Sequence, residues 1–352
     1  MDLKYEAAVL GATGVVGQRF VELLQKHPWF EVGVLAASER SAGKKFEEAC
    51  GWSLESEMPE DLRETTVVNT TLGAVEGAAS IDIVFSCLPS SVAGRIELDF
   101  ARKYPVISKV GINRLADDVP LIIPEVNPEH MDIIPEQRKR RGWEGFLSAD
   151  PNCSTTQLAM TLKPLQRFGL KKVIVSTMQA LSGAGYPGLS SLDINDNLLP
   201  HITGEEEKVE KESLKILGRM VDNRFEDARY QISATCNRIN VRDGHTECVN
   251  ILLEEDISEG EAKAALRGFS SEPQELSLPT APARPIVVRE EEDRPQPRRD
   301  RWEGNGMSVV VGRLRKDSVF TIKFVCLSHN TVRGAAGDAI LQAELYKSKG
   351  VI

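Results

Sequence analysis

A glycine-punctuated loop, Gly11-Ala12-Thr13-Gly14-Val15-Val16-Gly17, joins a short apolar run, Tyr5–Leu10, to a stretch of helical spacing, Val15–Lys26. This junction restricts the fold more than any other feature of the chain. Gly11 permits a tight turn, Gly14 lets an anion approach the backbone, and Gly17 allows the helix to pack closely on the strand. The first N–H groups of a helix have no intrahelical acceptor, so they face such an anion with the positive end of the helix dipole. The glycine spacing alone is weak evidence; a strand before it and a helix after it make it a dinucleotide loop.

Around this junction two periods alternate. Phe20, Val21, Leu23 and Leu24 recur at helical spacing, Val32–Ala37 is a second strand, and Ile81–Phe85 and Val106–Ser108 continue the set. Purely apolar strands of this kind belong in a parallel sheet covered on both faces. The pattern predicts an α/β fold whose N-terminal part, residues 1–151, is a Rossmann-type doubly wound sheet. The second strand runs into Ser38-Glu39-Arg40-Ser41-Ala42-Gly43-Lys44. A carboxylate there suits ribose hydroxyls, whereas Ser38, Arg40 and Ser41 suit a 2′-phosphate, so NADP is the expected cofactor. Ser86-Cys87-Leu88-Pro89 ends another strand at the same edge and shapes backbone.

Beyond residue 152 the texture changes to longer strands, at Val173–Leu181, Gln231–Val241, Glu247–Leu253, Met307–Leu314 and Phe320–Leu327. Helices are expected near Glu205–Arg219 and Glu259–Phe269. This grouping predicts a second, α+β domain of mixed sheet over residues 152–330. Pro273–Asn305, rich in Pro, Arg and Glu, is too long for an ordinary connection and reads as a subunit-contacting arm or a solvated excursion. Val332–Tyr346 reads as a helix, and residues 331–352 are expected to return to the first domain. Arg138–Arg141 reads as a solvated helix end, and His27 as a cap.

Charge narrows the partners. With 43 Lys+Arg against 52 Asp+Glu, the net charge is -9, which argues against nucleic-acid binding. The six cysteines are scattered without a CxxC pair, so neither a zinc site nor a disulfide scaffold is expected, and a reducing, cytoplasmic setting fits. No apolar run approaches the roughly 18 residues of a membrane span. A small-molecule substrate, no metal, and a homodimer or homotetramer are the expected partners.

The chemistry centres on Asp150-Pro151-Asn152-Cys153-Ser154-Thr155-Thr156, directly ahead of Leu158, Leu162 and Leu165. A thiol at a helix start is a candidate nucleophile, because the dipole end favours thiolate. Ser154, Thr155 and Thr156 fit a capped first turn. The alternative is a small buried hydrophobe. A thiolate beside a nicotinamide suits aldehyde oxidation through a thioester, or the reverse, and needs an acid/base. Of five histidines, His245 lies in a polar turn between two strand patterns, where it can project into a cleft. Arg238, seven residues earlier, could clamp a carboxylate or be solvated, and Gln179 could orient an acyl oxygen or satisfy its neighbours.

Several of these segments, in order, resemble the aspartate-semialdehyde dehydrogenases of the archaeal and fungal-type branch over essentially the whole chain. They are Gly11–Gly17, Asn152–Thr156, Gln179, Ser182-Gly183-Ala184-Gly185-Tyr186-Pro187-Gly188, Glu205–Lys208, Arg238 with His245, and His329-Asn330-Thr331-Val332-Arg333-Gly334. The resemblance implies reversible, NADP-dependent reductive dephosphorylation of L-4-aspartyl phosphate, with inorganic phosphate as co-substrate, in amino-acid biosynthesis. It implies that Cys153 carries the acyl group, His245 is acid/base, Gln179 holds the intermediate and Arg238 clamps the α-carboxylate. Glu205 would face the α-amino group, and Lys208, Asn152 and Arg114 would surround phosphate. Ser182, Gly183 and Asn330 would approach the nicotinamide.

One loop departs from that family's usual Ser-Asn-Ala-Ser: here it reads Ser108-Lys109-Val110-Gly111-Ile112-Asn113-Arg114, with Lys109 adding a charge. Two alternatives compete. Malonyl-CoA reductase shares the glycine-rich and His-Asn-Thr runs, but a CoA thioester needs neither ammonium recognition nor a phosphate site. A non-catalytic NADP-binding regulator would not need Cys153, His245, Gln179 and Arg238 together.

Overall fold

Tyr5–Leu10 forms the strand expected ahead of the glycine loop, and the computed structural model, which describes residues 3–352, builds the first sheet around it. Strands β1 (Tyr5–Leu10), β2 (Phe30–Ala37), β3 (Val68–Asn69), β4 (Ile83–Ser86), β5 (Pro105–Ser108) and β6 (Phe146–Ala149) lie in the order 3-2-1-4-5-6. All pairs are parallel. The order reverses between β1 and β4, where Leu10 pairs with Ser86, so the crevice for a ligand opens just past these residues.

Β-strand β7 (Leu170–Gln179) starts the second half, and a separate hairpin, β8 (Arg219–Val221) with β9 (Arg224–Glu226), precedes the rest. Strands β10 (Gln231–Arg238), β11 (His245–Leu253), β12 (Ile286–Val288), β13 (Val309–Lys316) and β14 (Ile322–Ser328) complete a six-stranded mixed sheet of order 10-7-11-14-13-12. Along β7 and β11, burial alternates: Val173, Val175, Val249 and Ile251 are buried, whereas Ile174 and Cys248 are exposed. One face of this sheet is therefore covered by its own chain and the other is open.

The cysteine helix, Cys153–Leu162, lies against β11, β13 and β14 and is buried from Ser154 onward. The chain returns to the first sheet through a π-helical turn, Val332–Ala336, and then the terminal helix, Gly337–Ser348. That helix is buried from Gly337 to Tyr346 and shares a core with Phe20, Phe85 and Phe146. Tyr346 meets Phe146 edge-on, and its hydroxyl hydrogen-bonds Ser148 at 2.5 Å. Buried between the two sheets, Arg333 is paired bidentately with Glu125, at 2.7 and 2.6 Å, and with Asp338 at 3.1 Å.

Several sequence expectations are revised. Residues 273–305 are not a featureless excursion: they contain β12, bury Leu278, and tie Arg294 to Asp300 and Arg289 to Glu303, while residues 290–293 and 298–299 stay exposed. Short elements punctuated by prolines hide such a strand from periodicity. Arg138 lies over the Phe146 ring and Arg141 is paired with Asp118, so that helix end is half-docked. His27 ties elements together more than it caps, accepting from the Phe30 N–H at 3.1 Å and bonding Glu344 at 2.7 Å. All six cysteines are free thiols.

Candidate active site

The glycine loop forms as the junction requires. Gly11 has φ +88°, and a Cβ on Gly17 would fall 2.2 Å from the Gly11 carbonyl oxygen, so only glycine lets the helix sit this close to the strand. No side chain caps the helix Val15–Leu24, and its first turn holds no acid, so its leading N–H groups stay open to an anion. Cys87 supports this corner without entering chemistry: its Sγ donates to Leu10 O at 3.1 Å, and burial pushes its thiol up to about 12.

A cleft of about 860 Å³ runs from this loop to the cysteine helix. Its wall includes Thr13, Gly14, Val15, Val16, Arg40, Lys109, Arg114, Asn152, Cys153, Ser182, Gly183, Glu205, Lys208 and Asn330. Sequence positions more than three hundred residues apart thus meet on one wall. Ser38 and Ser41 lie in the adjacent turn, closed by the Ser41 N–H on Ser38 O at 2.9 Å, and Arg40 alone of the three lines the cleft. The volume, the open helix end and the glycine loop fit a dinucleotide.

Asn152 is the N-cap of the cysteine helix, taking the role expected of the hydroxyls after it. Its Oδ1 accepts from Ser154 N at 2.9 Å and Thr155 N at 3.3 Å. Its Nδ2 donates to Glu205 Oε1 at 2.6 Å, and its own N–H donates to Glu212 Oε2 at 2.7 Å. Two of the leading N–H groups of this helix, those of Ser154 and Thr155, are therefore taken by the cap. Burial pushes the Cys153 thiol up to about 12, with Glu205 adding to the rise and Lys109, Arg238 and Arg114 opposing it. Attack on an acyl carbon needs the thiol proton to be lost before or as the new bond forms.

His245 opens β11 rather than lying in a turn, opposite Ser328. The Ala180 N–H donates to its Nδ1 at 3.0 Å, and its fully buried Nε2 has no protein partner. Burial holds this imidazole well below its usual proton affinity, aided by Arg238 and His329. With Nδ1 occupied by a donor, the neutral ring carries its hydrogen on Nε2. A Cβ on Gly183 would meet His245 Nε2 at 3.2 Å and Arg238 Nη1 at 2.7 Å, which places both groups beneath the cleft floor. Arg238 ends β10, donates from Nη1 to Ala180 O at 2.7 Å, and is in register with the buried Gln179, whose Nε2 has no partner.

The charged wall is paired internally. Lys208 reaches Glu205 Oε2 at 3.3 Å along one helix face, in the cleft rather than in bulk solvent. Arg114 donates to Glu212 Oε1 at 2.9 Å and to Lys109 O at 2.7 Å. Asn330 joins two loops, donating to Ser182 Oγ and accepting from Gly244 N, both at 2.8 Å. Glu212 escaped the sequence reading. Its signal was the spacing from Glu205 and Lys208, which puts all three on one helix face.

Comparison with known proteins agrees with this geometry. The family model for the semialdehyde dehydrogenase NAD-binding domain matches residues 6–134, and that for the semialdehyde dehydrogenase dimerisation domain matches residues 162–333. These two halves define a semialdehyde dehydrogenase. An aspartate-semialdehyde dehydrogenase of Methanothermobacter thermautotrophicus is 52% identical over 340 residues, covering 96% of this chain and 97% of its own. The crystal structure of aspartate-semialdehyde dehydrogenase with NADP from Candida albicans superposes with a TM-score of 0.91 at 41% identity, covering 99% and 100%. A malonyl-CoA reductase (NADP) of Metallosphaera sedula is 44% identical over 353 residues, covering 99% and 98%. The chain belongs to the aspartate-semialdehyde dehydrogenase family.

Proposed function

We propose that the chain catalyses reversible, NADP-dependent reductive dephosphorylation of L-4-aspartyl phosphate to L-aspartate 4-semialdehyde, releasing inorganic phosphate and consuming one proton. The observation that carries this reading is the contact of Asn152, beside Cys153, with Glu205, whose helix also brings Lys208 into the same cleft. A carboxylate for an ammonium group and a cation for phosphate flank one thiol. Malonyl-CoA reduction requires neither group.

In the proposed cycle, the Cys153 sulfur adds to the acyl carbon and the carbon–oxygen bond to phosphate breaks, the phosphate leaving with the thiol proton. Arg238 holds the α-carboxylate, Glu205 the α-amino group, and Lys208, Arg114 and Asn152 the departing phosphate. Gln179 steadies the acyl group. His245 donates from Nε2 to the acyl oxygen, whose charge grows as sulfur adds and again as the thioester is reduced. A nicotinamide dinucleotide, when bound, supplies the hydride, and Gly11–Gly17, Ser38, Arg40, Ser41, Ser182, Gly183 and Asn330 would hold it. The carbon–sulfur bond then breaks, and the sulfur regains a proton.

We assign residues 1–151 with 331–352 to the nucleotide unit and 152–330 to the catalytic unit, in a cytoplasmic homodimer or homotetramer. The open sheet face bearing Ile174 and Cys248 is the proposed contact. No helix among the described residues is long and apolar enough to cross a membrane.

A paired assay tests the assignment. Purified protein should reduce NADP with aspartate semialdehyde and phosphate, and should not oxidise NADPH with malonyl-CoA; the reverse outcome overturns the reading. Cys153→Ala should keep NADPH binding and lose turnover.

A further inference from the structure

Lys109 stands where the resembling family usually carries asparagine, and its surroundings give it a definite task. The side chain is nearly buried, and an ammonium group has three hydrogens to donate. Three protein oxygens lie against them, two as hydrogen-bond acceptors and one as an ion-pair partner. Nζ is ion-paired with Asp150, donates to Pro151 O at 2.5 Å, and donates to Gly334 O at 2.8 Å. No donor remains for a phosphate oxygen, which separates Lys109 from Lys208 and Arg114 despite its place on the same wall.

Each acceptor leads to the nucleophile. Pro151 and Asp150 immediately precede the Asn152 cap and Cys153. Gly334 packs on Cys153 so closely that a Cβ there would lie 2.6 Å from Cys153 Cβ. One ammonium therefore ties the end of β5 to the turn entering the cysteine helix and to the π-helical turn behind the sulfur. Its charge also enters a balanced buried set. Glu125 and Asp338 face Arg333, and Asp150 faces Lys109. Burial drives the Asp338 carboxyl strongly toward its protonated form. An uncharged residue at 109 would leave Asp150 as a buried, uncompensated carboxylate.

The groups facing the sulfur are Glu205 from the acidic helix, Arg238 from β10, and Arg114 and Lys109 from the loop after β5. Glu205 opposes thiolate formation; of the three cations, Lys109 acts most strongly in its favour.

We propose that Lys109 is a positioning residue for Cys153, clamping the turns on either side of the sulfur and holding a positive charge between them, and that it takes no part in holding phosphate. This inference rests on the assignment of Cys153 as nucleophile.

The test compares Lys109→Met, Lys109→Asn and Lys109→Arg with the full-length parent. The readout is the pH dependence of Cys153 alkylation by iodoacetamide, followed by mass spectrometry of the Cys153 peptide so that the other five cysteines do not interfere. Lys109→Met should lower the alkylation rate at pH 8 by about tenfold, as expected for a thiol displaced upward by one pH unit, with Lys109→Arg restoring most of it. kcat should fall in parallel while KM for phosphate stays at the parental value. Lys109→Asn keeps an amide donor without charge. It should also alkylate slowly, and it serves if the methionine variant does not fold.

A rise in KM for phosphate with alkylation unchanged would overturn the proposal and move Lys109 into the phosphate site. Parental alkylation in a folded, uncharged variant would overturn it as well. Because alkylation needs no substrate, a parent inactive on aspartate semialdehyde would refute the substrate assignment and leave the Lys109 result readable.

Discussion

Gly334→Ala tests how tightly the sulfur is positioned. A Cβ at this site would sit 2.6 Å from Cys153 Cβ and 2.9 Å from its Cα. Non-bonded carbons settle at about 3.5–4.0 Å, so the two segments must separate by roughly 1 Å. Neither can yield elsewhere. The turn bearing Cys153 is capped by Asn152, the Gly334 carbonyl is held by Lys109, and the adjacent Arg333 is locked by Glu125 and Asp338. The shift therefore falls on the sulfur. A misplacement of this size costs about 100-fold in rate, and the strain of overpacking costs about 1–3 kcal/mol of stability. Steady-state kcat and a fluorescence titration with NADPH separate the effects: kcat should drop about 100-fold with nucleotide affinity unchanged. Gly77→Ala, where a Cβ meets nothing within 4 Å, controls for the substitution itself. Parental kcat in a folded Gly334→Ala enzyme would show that this contact does not govern the nucleophile.

Two further outcomes concern stability. Burial raises the Glu247 carboxyl to about 8 from 4.5, so its contribution is fully present below pH 4.5 and lost as pH rises through 8. Glu247→Gln, which does not titrate, should gain on the parent by about 1.4 kcal/mol per pH unit across that window, read by urea unfolding; a constant difference across pH would contradict it. Arg333→Met leaves Glu125 as an uncompensated carboxylate in the interior and should cost about 3–5 kcal/mol, lowering the urea midpoint; an unchanged midpoint would contradict this.

Much of this site could be read from the chain because local motifs announced it. The glycine loop stands where strand and helix periodicities meet, and Cys153, His245 and Arg238 fall at strand or helix ends that converge on one cleft, the last two beneath its floor. What stayed hidden depended on partners distant in sequence. Nothing near Lys109 reveals that its ammonium is consumed by Asp150, Pro151 and Gly334. Nor does the sequence show that Asn152 takes the Ser154 and Thr155 N–H groups at the start of the cysteine helix, a contact visible only in coordinates. Strand β12 was missed within residues 273–305 because three residues carry too little periodicity.

The return of the terminal helix to the first sheet bears on how the protein is made. Phe20, Phe85 and Phe146 are synthesised early, yet the residues that cover them, Ile340 to Tyr346, follow only after the entire second half. As a chain emerges N-terminus first, the nucleotide half must wait with an apolar flank bare while nearly two hundred residues of mixed sheet are added. The same late segment brings Asn330 and Gly334 to the cleft. The apolar flank of the first sheet is thus covered, and the cleft wall completed, only by segments made after the mixed sheet.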